Sequence, residues 1–137
     1  MSVLSQSTIA KKLSFSGVGI HTGEAVNVNI LPSPPNSGII FKRIDLKERN
    51  IVIPNFENVS EATLCTTLSN QFGVKVSTIE HLMGAFLGLG IDNAVVELDS
   101  QELPILDGSA KNFVNMLKEI GLKNSDVPIK LIKINNH

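Results

Sequence analysis

The apolar residues of this chain change their period near residue 77, and that change restricts the folds open to it. Upstream, residues 24–31 (EAVNVNIL) set Val26, Val28 and Ile30 on one side and Asn27 and Asn29 on the other. Strict alternation of this kind is the pattern of a half-buried strand. Downstream, Ile79, Leu82, Met83, Phe86 and Leu87 fall at i, i+3, i+4, i+7 and i+8, which is one face of a helix. Ser77 followed by Glu80 has capping-box spacing, so the helix is predicted to start there, and Gly88 and Gly90 stop it.

Other segments extend the two patterns. Residues 8–15 (TIAKKLSF) read as one extended segment with Ile9, Lys11, Leu13 and Phe15 on one side. Residues 38–44 (GIIFKRI) read as a strand, and 51–53 before Pro54 as a short edge piece. Residues 62–68 and 73–76 read as strand or extended chain, and 91–98 (IDNAVVEL) as a buried strand. A second helix is predicted over 109–120, with Ala110, Phe113, Val114, Leu117 and Ile120 inward and Gly121 as its stop. A last strand is predicted from Val127 onward.

Strands, helix, strand, helix, strand is the order of an α+β domain. The expectation is a two-layer sandwich: a mostly antiparallel sheet of about five strands with two helices packed on one face. Residues 1–126 are expected to form the domain. Residues 127–137 are expected to begin a strand or linker toward a second domain that this chain lacks.

Composition excludes several classes of function. The chain has 137 residues, 42% apolar and 18% charged, with a net charge of −1. That is a globular composition, long enough for one domain with a real core. It offers no basic stripe for phosphates and few aromatics for bases, so nucleic-acid binding is disfavoured. A single cysteine, Cys65, rules out an internal disulfide and suits a reducing compartment. No apolar run reaches membrane-spanning length, and no signal peptide opens the sequence. The expected location is the cytoplasm.

Chemistry concentrates at Glu80-His81, a carboxylate and an imidazole side by side at a predicted helix start. The positive end of a helix favours an ionised Glu80 and a neutral His81, the form that ligates a metal. The alternative is structural, with Glu80 as a capping residue and His81 as an ordinary surface or core histidine. A zinc site needs at least three protein ligands, and this helix supplies one histidine. His21 stands in the glycine-punctuated run Gly17-Val18-Gly19-Ile20-His21-Thr22-Gly23. Such a run either lets backbone approach a ligand or simply makes a turn. Cys65 has no base in sequence reach and reads equally as a buried structural thiol. Helix capping accounts for Asp107-Gly108-Ser109, and turn chemistry for Asp92-Asn93.

Taken together, five segments resemble one family. They are Gly17 to Gly23, Leu64-Cys65-Thr66, Ser77-Thr78-Ile79-Glu80-His81-Leu82, Gly88-Leu89-Gly90-Ile91-Asp92-Asn93, and Pro104-Ile105-Leu106-Asp107-Gly108-Ser109-Ala110. In this order and spacing the chain resembles the amino-terminal half of UDP-3-O-acyl-N-acetylglucosamine deacetylase, the zinc amidase of lipid A synthesis in Gram-negative bacteria. The resemblance covers essentially the whole chain. It implies two similar α+β domains of the ribosomal S5 domain 2-like type, with zinc in the cleft between their helical layers.

The resemblance also implies roles. His81 matches the zinc ligand contributed by this half, and Glu80 the general base that takes a proton from the attacking water. Thr63, Leu64 and Cys65 match positions lining the substrate site, and His21 a histidine close to it. The implied substrate is UDP-3-O-acyl-N-acetylglucosamine, and the implied cofactor is Zn2+ held by the complete enzyme. The other two zinc ligands, the proton donor and the acyl-chain passage belong, in the family, to a carboxy-terminal domain. The isolated chain is therefore expected to be inactive and to hold zinc weakly or not at all. A homodimer through the helical layer is a further expectation, because apolar helix faces left uncovered are unfavourable. The competing reading is a non-catalytic interaction module that keeps the fold without the chemistry.

Overall fold

The computed structural model describes residues 4–62 and 65–129. Ten strands and two helices follow in the order β1 (Ser5–Ile9), β2 (Leu13–Val18), β3 (Ala25–Pro32), β4 (Ile39–Arg43), β5 (Ile51–Val52), β6 (Val59–Glu61), β7 (Thr67–Ser69), β8 (Lys75–Ser77), α1 (Glu80–Leu89), β9 (Ala94–Leu98), α2 (Lys111–Ile120) and β10 (Leu122–Pro128). Among the described residues, one 3-10 turn, Phe56–Asn58, precedes β6.

The main sheet has five strands in the order β2-β3-β9-β4-β5. Its pairings are antiparallel except for β4 against β9, which run parallel. The expected architecture is present: a mostly antiparallel sheet under two helices. The alternation read in 24–31 is the inward face of β3, where Val26, Val28 and Ile30 are buried. Ala94, Val96 and Leu98 of β9 and Phe41 of β4 extend that face. Leu82, Ala85 and Phe86 of α1 and Phe113 and Leu117 of α2 close over it in one cluster. Phe15 of β2 meets Phe113 edge-on, with ring centroids 5.7 Å apart. Burying each such side chain contributes about 1.5–3 kcal/mol, so this face holds the two layers together.

Two smaller sheets flank the sandwich. β1 pairs with β10, and β6, β7 and β8 form a three-stranded meander. They account for most departures from the sequence reading. Residues 8–15 are not one extended segment: the chain breaks at residues 10–12, so that β1 and β2 join different sheets. The last strand starts at Leu122, immediately after Gly121, and pairs with β1. Its register with β1 is a non-local pairing that no pattern within 121–127 announces. The part of the predicted strand at 130–137 lies outside the described residues.

The helix starts also differ. Ser77 does not cap α1. It lies in β8, paired to Thr67 of β7, and its hydroxyl accepts a hydrogen bond from Thr67 Oγ1 at 3.1 Å. The N-cap of α1 is Ile79, which has no side-chain cap bond. Likewise the Asp107–Ser109 turn does not cap α2 directly. Asp107 accepts from the Ser109 N–H at 3.0 Å, Ser109 Oγ accepts from the Lys111 N–H at 3.2 Å, and the N-cap is Ala110. Leu87, predicted inward, is 84% exposed, whereas Ala85 is fully buried. The inward stripe of α1 is narrower than its sequence suggests. At the far end, Gly90 stops the helix in the left-handed region (φ 72°), a conformation glycine reaches without a Cβ clash.

Candidate functional site

The site sits where the β7–β8 hairpin delivers the chain into α1. Thr78, between β8 and the helix, has φ 61°, an uncommon conformation for a β-branched residue. Backbone bonds hold it there: the Thr78 N–H donates to Thr66 O at 2.9 Å, the Ser77 N–H to Gln101 O at 2.7 Å, and the Leu103 N–H to Ser77 O at 3.1 Å. The kink swings Glu80 back toward β7, and Glu80 Oε2 accepts the Thr66 N–H at 2.9 Å. The carboxylate that looked like one half of a capping box therefore serves the segment leading into β7. Its other oxygen makes no hydrogen bond among the described residues.

His81 follows in the first helical turn. It is half-buried, and its ring makes no hydrogen bond among the described residues. Neither Glu80 nor His81 is sealed inside the domain. Cys65 immediately precedes Thr66, the partner of Glu80, and is half-buried, with Sγ 3.7 Å from Thr67 Oγ1. Thr63 and Leu64 lie outside the described residues. The fold thus gathers Glu80, His81, Cys65 and Thr66 at one end of α1.

His21 is linked to the root of α1 through its backbone and Glu102. Its turn closes with the Gly23 N–H donating to Gly19 O at 2.9 Å and the Gly19 N–H to Glu24 O at 3.0 Å. The His21 side chain is exposed. Its backbone is pinned: the N–H groups of His21 and Thr22 donate to Glu102 Oε1 at 3.0 and 2.9 Å. Glu102 is only 1% exposed, and its Oε2 accepts the Thr78 hydroxyl at 2.6 Å. Burial pushes the Glu102 pKa up, but the Thr78 hydroxyl, the N–H groups of Thr22 and His21 and the Thr22 hydroxyl together hold it below the ordinary glutamate value. The sequence reading missed this residue. Its own segment, Gln101-Glu102-Leu103, looks like solvated loop, and the partners that define it lie 24 and 81 positions away.

Among the described residues no group of three or more His, Cys, Asp or Glu comes together. His81, whose ring makes no hydrogen bond among the described residues, fits a zinc ligand in chemistry, and Glu80 beside it fits a base. A zinc centre built on His81 takes its remaining ligands from outside the described residues. A cleft of about 330 Å3 lies elsewhere, with Gln6, Ser7, Pro35, Asn93 and Lys123 among its lining residues. No helix of the described residues is long and apolar enough to cross a membrane.

Comparison with known proteins places this geometry in a family. A family model described as LpxC, UDP-3-O-acyl N-acetylglycosamine deacetylase, matches residues 6–137. Similar curated proteins bear the name UDP-3-O-acyl-N-acetylglucosamine deacetylase. One from Shewanella baltica (strain OS155) is 47% identical over 129 residues, 94% of this chain and 42% of the relative. One from Shewanella denitrificans is 48% identical over 130 residues, 95% of this chain and 42% of the relative. The chain thus spans well under half the length of these relatives. With a match running from residue 6 to residue 137, the chain belongs to the UDP-3-O-acyl N-acetylglycosamine deacetylase family.

Proposed function

We propose that this chain carries the general-base lobe of a zinc-dependent deacetylase acting on UDP-3-O-acyl-N-acetylglucosamine in lipid A synthesis. The observation that carries the reading is the Glu80–His81 pair on the first turn of α1, with Glu80 held by the Thr66 N–H and the His81 ring without a hydrogen bond among the described residues.

In this reading His81 is one zinc ligand, and the rest of the ligand set comes from sequence beyond this chain, which covers 42% of its relatives. Zinc, when bound, supplies a Lewis acid that polarises the acetamide carbonyl and makes water more acidic. Glu80 Oε1 accepts the proton of the attacking water, while Oε2 stays on Thr66 and fixes the direction of the carboxylate. Water adds to the carbonyl, an acid from sequence beyond this chain protonates the leaving nitrogen, the C–N bond breaks, and acetate and a free amine leave. Thr63, Leu64, Cys65 and His21 line the substrate side. The working compartment is the cytoplasm. The exposed side chain of Leu87 on α1 suits cover by the second lobe, or by a second copy of the chain when that lobe is absent.

The test compares the 137-residue chain with the full-length protein. The full-length protein is expected to bind zinc and release acetate from the UDP-sugar. The short chain is expected to do neither. Hydrolysis by the short chain alone overturns the division of labour, and a zinc-loaded full-length protein without activity overturns the reaction. Sedimentation of the short chain as a monomer at high concentration removes the dimer.

A further inference from the structure

Glu102 is a buried carboxylate that the proposed reaction does not use. It stands among backbone and hydroxyl donors, with no cation bonded to it among the described residues. Three observations define its seat. Oε1 gathers the consecutive N–H groups of His21 and Thr22, and the His21 N–H also lies 3.3 Å from Oε2. Oε2 holds the hydroxyl of Thr78, the left-handed residue two positions before Glu80. Gly19 leaves the space: a Cβ there would collide with Glu102 Oε1 and lie 2.7 Å from Thr22 Oγ1. One side chain, 81 positions from His21 and 24 from Thr78, thus joins the turn that carries His21 to the kink that launches α1.

We infer that Glu102 is a positioning residue, which locks the His21 turn against the root of α1 and so fixes His21 relative to the Glu80–His81 pair. The inference rests on the deacetylase reading for its consequence but on hydrogen bonding alone for its geometry. Side-chain reach explains why a carboxylate suits the place. Two oxygens serve three donors from two segments, and ionised acceptors make the stronger bonds. Glutamine can copy much of this. Its carbonyl can take the two N–H groups while its amide donates to Thr78 Oγ1. Alanine copies none of it and leaves the part-buried N–H groups of His21 and Thr22 without this acceptor.

A double-mutant cycle in the full-length protein tests the idea. Glu102→Ala is expected to lower kcat/KM about 100-fold when His21 is present, the scale of a misplacement of about 1 Å. It is expected to cost less than about threefold once His21 is alanine, because coupled residues are not additive. Glu102→Gln should recover most of the loss. Equal losses in both backgrounds would mean a merely structural role and overturn the inference. If Glu102→Ala does not fold, Thr78→Val decides by hydrogen exchange. The His21 and Thr22 amides are expected to exchange about tenfold faster in that variant, and unchanged exchange overturns the lock. An unmodified protein that releases no acetate sinks the deacetylase reading, while the exchange measurement still decides the role of Glu102.

Discussion

Glu80 Oε2 accepts the backbone N–H of Thr66 at 2.9 Å, so the carboxylate beside His81 is oriented by the segment leading into β7 rather than by its own helix. A base oriented in this way keeps one oxygen available, and its replacement should separate chemistry from folding.

Glu80→Gln is expected to lower kcat of the full-length protein by about 100-fold or more, the usual contribution of a positioned general base. The amide carbonyl can still accept from Thr66. The helix loses a charge at its positive end, worth about 0.3–1 kcal/mol. Acetate release and urea denaturation, measured on the same preparation, should show the large kinetic loss beside the small change in stability. Comparable activity in the variant would remove Glu80 as the base.

Two glycines should fail for different reasons. At Gly90 an added Cβ meets nothing within 4 Å, but φ is 72°. Gly90→Ala should therefore cost about 1–2 kcal/mol from backbone conformation alone and leave kcat unchanged. At Gly19 the φ is not in the left-handed region, yet a Cβ collides with Glu102. Gly19→Ala should reduce kcat as well as stability, because it displaces the carboxylate that pins His21. Denaturation midpoints and kcat for the two variants check the contrast.

Acid should loosen the lock in a defined window. The folded-state pKa of Glu102 lies below its ordinary value of 4.5. A depressed folded value means that the unfolded chain binds the proton more readily. The contribution of Glu102 is therefore complete above pH 4.5 and is lost as pH falls from there through the lower folded value. Asp45, lowered chiefly by its hydrogen bond to Arg43, adds a slope of the same sign below its own ordinary value of 3.8. Urea midpoints from pH 6 down to pH 3 should fall steeply in the unmodified protein and less steeply in Glu102→Gln. Parallel curves would refute the assignment.

On α1 the inward and outward faces should respond oppositely. Leu82 is fully buried one residue after His81, and Leu82→Ala should cost about 2–5 kcal/mol. Leu87 is 84% exposed, and Leu87→Ser should change the stability of the 137-residue chain by less than about 0.5 kcal/mol. Denaturation of the two variants checks the assignment of faces. A large loss at Leu87 would show that this surface is covered in solution.

Amino-acid order alone determined the layers. The period-two run at 24–31 became β3, the helical stripe beginning at Ile79 became α1, and Gly90 and Gly121 marked the helix ends. These signals are local, since side-chain periodicity and glycine's freedom act within a few residues. The adjacency of Glu80 and His81 was legible for the same reason. Tertiary structure decided what those residues meet. It turned Ser77 into a strand residue, took Glu80 from a cap to a partner of Thr66, exposed Leu87, and seated Glu102 between His21 and Thr78. Each of these depends on a donor or neighbour far along the chain. Burial and hydrogen bonding between distant segments are settled when the layers pack, and no short stretch of sequence contains them.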